Sequence, residues 1–153
     1  MSMQNTQIIC VEGLNFAYQK EKWVFRDVNF TISAGIIVGF VGSSGSGKTT
    51  LAHILKGLIP QSIKGFISGK VIVDGKEALK TTINDMAKTV GMVFQDLNAQ
   101  LFNNTVQEEI EFGLHNLKID LSNATKAMEM LDILDLAHEI PMNLSAGQNN
   151  ALS

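Results

Sequence analysis

The chain has 153 residues, 45% of them hydrophobic and 18% charged, with a net charge of −3. That is enough chain for one packed domain, and the balance excludes a disordered polypeptide. The acidic balance argues against a general nucleic-acid binder, and a single cysteine, Cys10, excludes an intrachain disulfide.

Met1–Gln7 is polar and lacks the basic and apolar regions of a secretory signal. Ile8–Val11 and Leu14–Tyr18 read as short strands on either side of Gly13, and Lys20–Lys22 as a charged turn. Val28, Phe30 and Ile32 alternate with polar residues, the pattern of a half-exposed strand. Ile36–Val41 is continuously apolar, as expected of a strand buried on both faces of a parallel sheet. It is far shorter than the ~20 residues of a spanning helix.

The next segment carries chemistry. Gly42-Ser43-Ser44-Gly45-Ser46-Gly47-Lys48-Thr49 matches the pattern G-x-x-x-x-G-K-[ST]. Glycines there allow backbone angles that side chains block, so successive N–H groups can turn inward and cradle anionic oxygens. A helix starting at the loop adds its positive end. In this motif Lys48 reaches the β- and γ-phosphates and the Thr49 hydroxyl ligates Mg²⁺. Thr50 completes the run, so ATP with Mg²⁺ is the expected ligand.

Leu51, Ile54, Leu55 and Leu58 mark the helix after the loop, with Gly57 and Pro60 ending it. Lys70–Asp74 reads as a strand, Asn84–Lys88 as a short helix and Val90–Phe94 as a second buried strand. Thr105-Val106-Gln107-Glu108 fits a capping box in which Glu108 reaches back to the Thr105 N–H. Val106, Ile110 and Leu114 then share one helix face. A further helix starts from a Ser122 cap, with Ala124, Ala127, Met128 and Leu131 at helical spacing. Pro141 precedes a last turn.

Around the loop, four further segments resemble the ATP-binding subunit of ABC transporters. Tyr18 stands where that family stacks an aromatic ring on adenine. Val93-Phe94-Gln95-Asp96 is similar to the Q-loop, which implies that Gln95 contacts Mg²⁺ and the attacking water and senses the membrane subunit. Leu144-Ser145-Ala146-Gly147-Gln148 resembles the signature LSGGQ, departing from it at Ala146. By that resemblance Ser145, Gly147 and Gln148 close on the γ-phosphate held by the opposite subunit. Asn149 and Asn150 replace the basic residues that usually follow. Gln100-Leu101-Phe102, Glu108-Glu109-Ile110, Phe112-Gly113-Leu114 and Gly57-Leu58-Ile59-Pro60 look like the ATPases of energy-coupling factor (ECF) importers.

The resemblance implies an α/β P-loop NTPase core with an N-terminal antiparallel β portion and a helical subdomain. The β-rich core part is expected over 1–95 and the helical subdomain over 96–153, ending at the signature. The implied partners are a second ATP-binding subunit, identical or not, a transmembrane coupling subunit and a small substrate-binding membrane protein, with no nucleic acid. The implied location is cytoplasmic, peripheral on the inner face of the membrane. Lys48 and Gln95 are the catalytic candidates.

Family members continue past the signature with a Walker B aspartate, a catalytic glutamate and a switch histidine. None of these can be assigned here, and His53, His115 and His138 read as structural. The chain is therefore expected to be an incomplete domain that hydrolyses ATP poorly, or a nucleotide-binding module without turnover. In the related fold, strands from beyond the signature flank Ile36–Val41 and Val90–Phe94, so both are expected to lack neighbours. A DNA-repair type ATPase is disfavoured because no sustained heptads lie between Lys48 and Ser145. A GTPase lacks its Asn-Lys-x-Asp motif, and a small-molecule kinase its arginine-rich lid, Arg26 being the only arginine.

Overall fold

A computed structural model describes residues 6–95 and 101–144. The chain divides into two compact units, Met1–Gly91 and Met92–Ser153.

The first unit is built on an antiparallel sheet ordered β2-β1-β3-β4: β1 (Gln7–Gln19), β2 (Lys22–Ser33), β3 (Phe66–Val73) and β4 (Lys76–Glu77). Strand β1 lies between β2 and β3, with Val11 opposite Phe30 on one side and Val71 on the other. Gly13 does not separate two strands, as its position suggested. It takes a φ of 57° and forms a bulge within one 13-residue strand, where the register shifts against both neighbours. Polar side chains hold the bulge: the Gly13 N–H donates to Asn29 Oδ1 at 2.7 Å and Asn15 Nδ2 donates to the Gly13 carbonyl at 2.8 Å. The alternation read along Val28–Ile32 holds, with the apolar residues half-buried and Asn29 and Thr31 exposed. Asp74 and Gly75, with φ of 48° and 72°, make the two-residue turn from β3 to β4.

Three short helices cover the sheet's inner side: α1 (Lys48–Leu55), α2 (Leu58–Gln61) and α3 (Ile83–Ala87). Helix α1 stops before Gly57, whose φ of 80° belongs to the left-handed region, so Leu58 starts a separate turn rather than continuing α1. Val11, Leu14, Phe16, Leu51, Ile54, Ile59, Val71 and Met86 form the core.

Thr82 caps α3, accepting from the Asp85 N–H at 3.2 Å and donating to Asp85 Oδ2 at 2.8 Å. The Thr82 hydroxyl, followed by Lys88, holds the Asp85 carboxyl below its ordinary value of 3.8. Its contribution to stability is therefore present above the ordinary value and lost as pH falls through the depressed one. Thr82→Ala is expected to raise the Asp85 pKa toward 3.8 in a carboxyl NMR titration; an unmoved Asp85 would assign the shift to Lys88 instead.

Two expected strands do not form. Ile36–Val41 and Val90–Phe94 join no ladder among the described residues. Ile37 is fully exposed, Val41 is 95% exposed and Val93 56%. β-branched composition suits a pleated, half-buried surface, but a strand needs partners to bond and bury it. The described sheet is antiparallel and does not reach either segment.

The second unit packs α4 (Val106–Leu117) against α5 (Ser122–Met130) and the turns Leu134–Leu136 and Pro141–Asn143. Val106, Ala124, Met128, Ile133 and Ala137 are its buried core, with Ile110 and Leu114 packed on them. Leu131 departs from its helical reading: it follows the last turn of α5 and is 45% exposed. The capping box is also modified. Thr105 accepts from the Glu108 N–H at 3.2 Å, but Glu108 Oε2 reaches the N–H of Asn104 rather than of Thr105. Glu109 Oε2 in turn accepts from the Phe102 and Asn103 N–H groups. At α5 the expected Ser122 cap is displaced: Ser122 is the first helical residue, and Asp120 Oδ1 accepts its N–H at 2.8 Å. That bond lowers the Asp120 pKa.

Candidate functional site

The glycine-rich loop closes on itself and then enters α1. The Ser46 N–H donates to the Ser43 carbonyl at 3.2 Å, turning the chain across Ser44 and Gly45. Gly45 and Gly47 sit at φ of 80° and 95°, where a β-carbon is strained. Gly42 leaves room for a neighbour: a β-carbon there would lie 2.8 Å from Ser46 Oγ and would displace that hydroxyl. At Gly47 it would lie 2.8 Å from Val24 Cγ1 and 2.9 Å from Phe25 Cε1. Strand β2 thus supports the loop from below through two side chains that the sequence pattern, read from Val28 onward, did not mark.

Helix α1 begins at Lys48, and its first bonded N–H is that of Leu51, on the Gly47 carbonyl at 2.8 Å. The N–H groups of Lys48, Thr49 and Thr50 precede it and have no intrahelical acceptor. No acidic residue lies in the first turn. These donors and the helix dipole make the loop an anion-binding end. Lys48 folds back over the loop, its Nζ 2.8 Å from both the Gly42 and Ser43 carbonyls and 3.3 Å from Ser46 Oγ. An ammonium held on loop carbonyls stands where it can exchange them for phosphate oxygens. Ser43, Ser44 and Thr49 are exposed on the same loop. The donor set, one ammonium, exposed hydroxyls and the free N–H groups of a helix start, fits a triphosphate with Mg²⁺.

Tyr18, at the end of β1, is brought to the same helix. Its hydroxyl is 2.9 Å from Thr50 Oγ1 and its ring meets Phe16 edge-on at 4.8 Å. Thr50 itself is buried, at 7% exposure. A small cavity of about 190 Å³ lies beside the loop, lined by Phe25, Phe40, Val41, Ser46, Gly47, Lys48 and Leu51. A larger hollow of about 550 Å³ lies in the second unit among Glu129, Asp132, Leu134 and Asp135. Its three carboxylates repel phosphate.

Gln95 is exposed and belongs to the second unit. Ser145, Gly147 and Gln148 lie outside the described residues. Among the described residues no group of His, Cys, Asp and Glu could hold a metal ion by itself.

A glycine-rich loop running into a helix N-terminus with its lysine folded over it defines a P-loop architecture. The sequence model of the family described as ABC transporter matches residues 25–153, and the chain belongs to that family. It is 39% identical over 151 residues to a provisionally named ABC transporter ATP-binding protein of Pyrococcus abyssi, covering 95% of this chain and 54% of that protein. A counterpart from Pyrococcus horikoshii is 38% identical, with 95% and 53% covered. The chain thus spans about half the length of these curated relatives. Among solved structures, cbiO1 from Clostridium perfringens, part of the ABC transporter complex cbiONQ, superposes with a TM-score of 0.79 at 28% identity, over 96% of this chain and 59% of that one. A bacterial Atm1-family ABC exporter with ATP bound shares the fold, with a TM-score of 0.74 at 23% identity over 97% of this chain and 26% of that one.

Proposed function

We propose that this chain is the ATP-binding component of an ABC-type importer of the ECF group, coupling ATP binding and hydrolysis to uptake of a small solute such as a vitamin or metal ion. The observation that carries the proposal is the P-loop: Lys48 held over a loop whose Gly45 and Gly47 take left-handed angles and which runs directly into a helix N-terminus. The likeness to cbiO1, a part of the cbiONQ complex, supports the ECF assignment.

In this reading the loop N–H groups and Lys48 bind and orient the phosphates, and Tyr18 offers its ring to the base. Thr49 would ligate Mg²⁺, which would supply charge neutralisation to the phosphates, and by the family resemblance Gln95 is a second candidate ligand that would also contact the attacking water. Such positioning and electrostatic stabilisation are most of what phosphoryl transfer needs from a protein. Ser145, Gly147 and Gln148 form the second anion site, which serves the nucleotide of a partner ATP-binding subunit. No helix among the described residues is long and apolar enough to cross a membrane. On the likeness to cbiO1, a part of the cbiONQ complex, the proposed place of the chain is on the cytoplasmic face, against a transmembrane coupling subunit and a substrate-binding membrane protein.

Titration with a fluorescent ATP analogue, run alongside a phosphate-release assay, tests the proposal. Saturable, Mg²⁺-dependent binding that unlabelled ATP competes away is expected. Release abolished by Lys48→Ala would establish turnover within this chain, and binding without release would mark it as the nucleotide-holding portion. Absence of competable binding would overturn the proposal.

A further inference from the structure

The sheet of the first unit has an outer face. Side chains alternate along a strand, so Ala17, which follows the core residue Phe16, points outward. Its cross-strand partners are Trp23 on β2 and Phe66 on β3, and directly opposed residues share a face. Ala17 is fully buried without belonging to the core cluster, whereas Trp23 and Phe66 are 43% and 55% exposed. The two aromatic residues thus flank Ala17 with no open slot down to it, and form an apolar platform. The surroundings are basic. Arg26, the only arginine, holds its guanidinium carbon 5.8 Å from the centroid of the Trp23 ring. Lys20 and Lys22 precede Trp23 and Lys64 precedes Phe66, all three exposed. The acidic residues in the same stretches are Glu21 and Asp27, and Asp27 Oδ1 accepts from Asn29 Nδ2 at 3.1 Å. Positive charge therefore prevails here on a chain whose net charge is −3.

We propose that this face, with Trp23 and Phe66 at its centre and Arg26 and Lys22 beside them, contacts an anionic phospholipid surface. Recognition of a peptide helix or a proline-rich segment needs a groove, whereas a platform without one fits a plane. Tryptophan settles at the headgroup level of a bilayer, and long basic side chains beside it extend their charges to the phosphates. Anionic lipid attracts such a basic cluster even on a protein of opposite net charge, because the attraction acts within about one Debye length. The inference goes beyond the proposed function, which places the chain at the membrane through protein partners alone, and it uses no residue of the phosphate loop.

Trp23 is the only tryptophan, so its fluorescence reads this face by itself. The test titrates the purified protein with vesicles of phosphatidylglycerol mixed with phosphatidylcholine, and with vesicles of phosphatidylcholine alone, following Trp23 emission and co-sedimentation. A blue shift with the anionic vesicles is expected, quenched by lipids brominated on the acyl chain and largely reversed by salt on the order of 0.5 M. Arg26→Gln and Lys22→Gln should each weaken vesicle binding about fivefold, and Phe66→Ser about tenfold. Saturating ATP with Mg²⁺ should leave vesicle binding unchanged. Competition by ATP would put the lipid phosphate on the loop and overturn the proposal. Sedimentation with vesicles without a Trp23 shift would do the same, because another exposed apolar segment such as Ile36–Val41 would then make the contact. An equal shift with soluble polyglutamate would assign the face to an acidic protein partner, and no shift with any of these would leave the face without a ligand; either result overturns the proposal. If Phe66→Ser does not fold, the two exposed charge variants carry the comparison. Failure of the proposed function would look different, as vesicle binding intact and ATP binding absent.

Discussion

Lys48→Ala is expected to weaken ATP binding about a hundredfold while leaving the melting transition in place. The Lys48 ammonium bonds two backbone carbonyls on an exposed loop, which water can satisfy when the side chain is gone. Alanine also favours the start of α1. Surface substitutions of that kind change stability by only ~0.5 kcal/mol. Affinity is another matter. A hydrogen bond to a charged group contributes about 1.5–3 kcal/mol, and Lys48 can serve two phosphates, so a loss of about 3 kcal/mol, roughly a hundredfold in Kd, is expected. Lys48→Arg should recover little, because a planar fork cannot occupy the space of a compact ammonium folded over Gly42 and Ser43. A Kd within a factor of about three of the unaltered protein, well short of that loss, would remove Lys48 from the site.

Gly47→Ala is expected to damage both fold and binding. Gly47 combines a φ of 95° with no room for a β-carbon, which would meet Val24 and Phe25 at 2.8 and 2.9 Å. A left-handed residue other than glycine costs about 1–2 kcal/mol, and overpacking adds about 1–3. The sum, roughly 2–5 kcal/mol, is a large share of a domain's stability of about 5–15 kcal/mol. The denaturation midpoint should fall accordingly. Val24→Ala added to Gly47→Ala should recover part of the loss, since it clears one clash and leaves the backbone strain. An unchanged midpoint for Gly47→Ala would mean that the loop does not rest on β2.

The loop was legible in the sequence because its chemistry is contiguous: eight neighbouring residues supply the glycines, the lysine and the threonine. The half-exposed alternation of β2 and the apolar faces of α4 were legible for the same local reason. What escaped depends on contacts between distant segments. Apolar runs at Ile36–Val41 and Val90–Phe94 were read as buried strands, yet pairing is a property of neighbours, and neither segment joins the described sheet although Phe40 meets Phe30 and Val90 touches the core. Gly13 was read as a break because glycine weakens a strand, whereas Asn15 and Asn29, side chains from two strands, make it a bulge. Thr105 caps α4 as its spacing indicated, but the reach of Glu108 to the Asn104 N–H and of Asp120 to the Ser122 N–H turns on side-chain geometry that spacing alone does not resolve. The pairing of Tyr18 with Thr50 left no mark in the sequence at all.

The central claim is that the chain reads the phosphate end of a nucleotide through Gly42–Thr49. Calorimetric titration of the purified protein with ATP and with AMP, each with Mg²⁺, tests it most directly. The loop and Lys48 act on β- and γ-phosphates, so ATP should bind at least about a hundredfold more tightly than AMP, which keeps the base and loses both phosphates. Equal affinity for the two nucleotides, or no heat with either, would contradict the account.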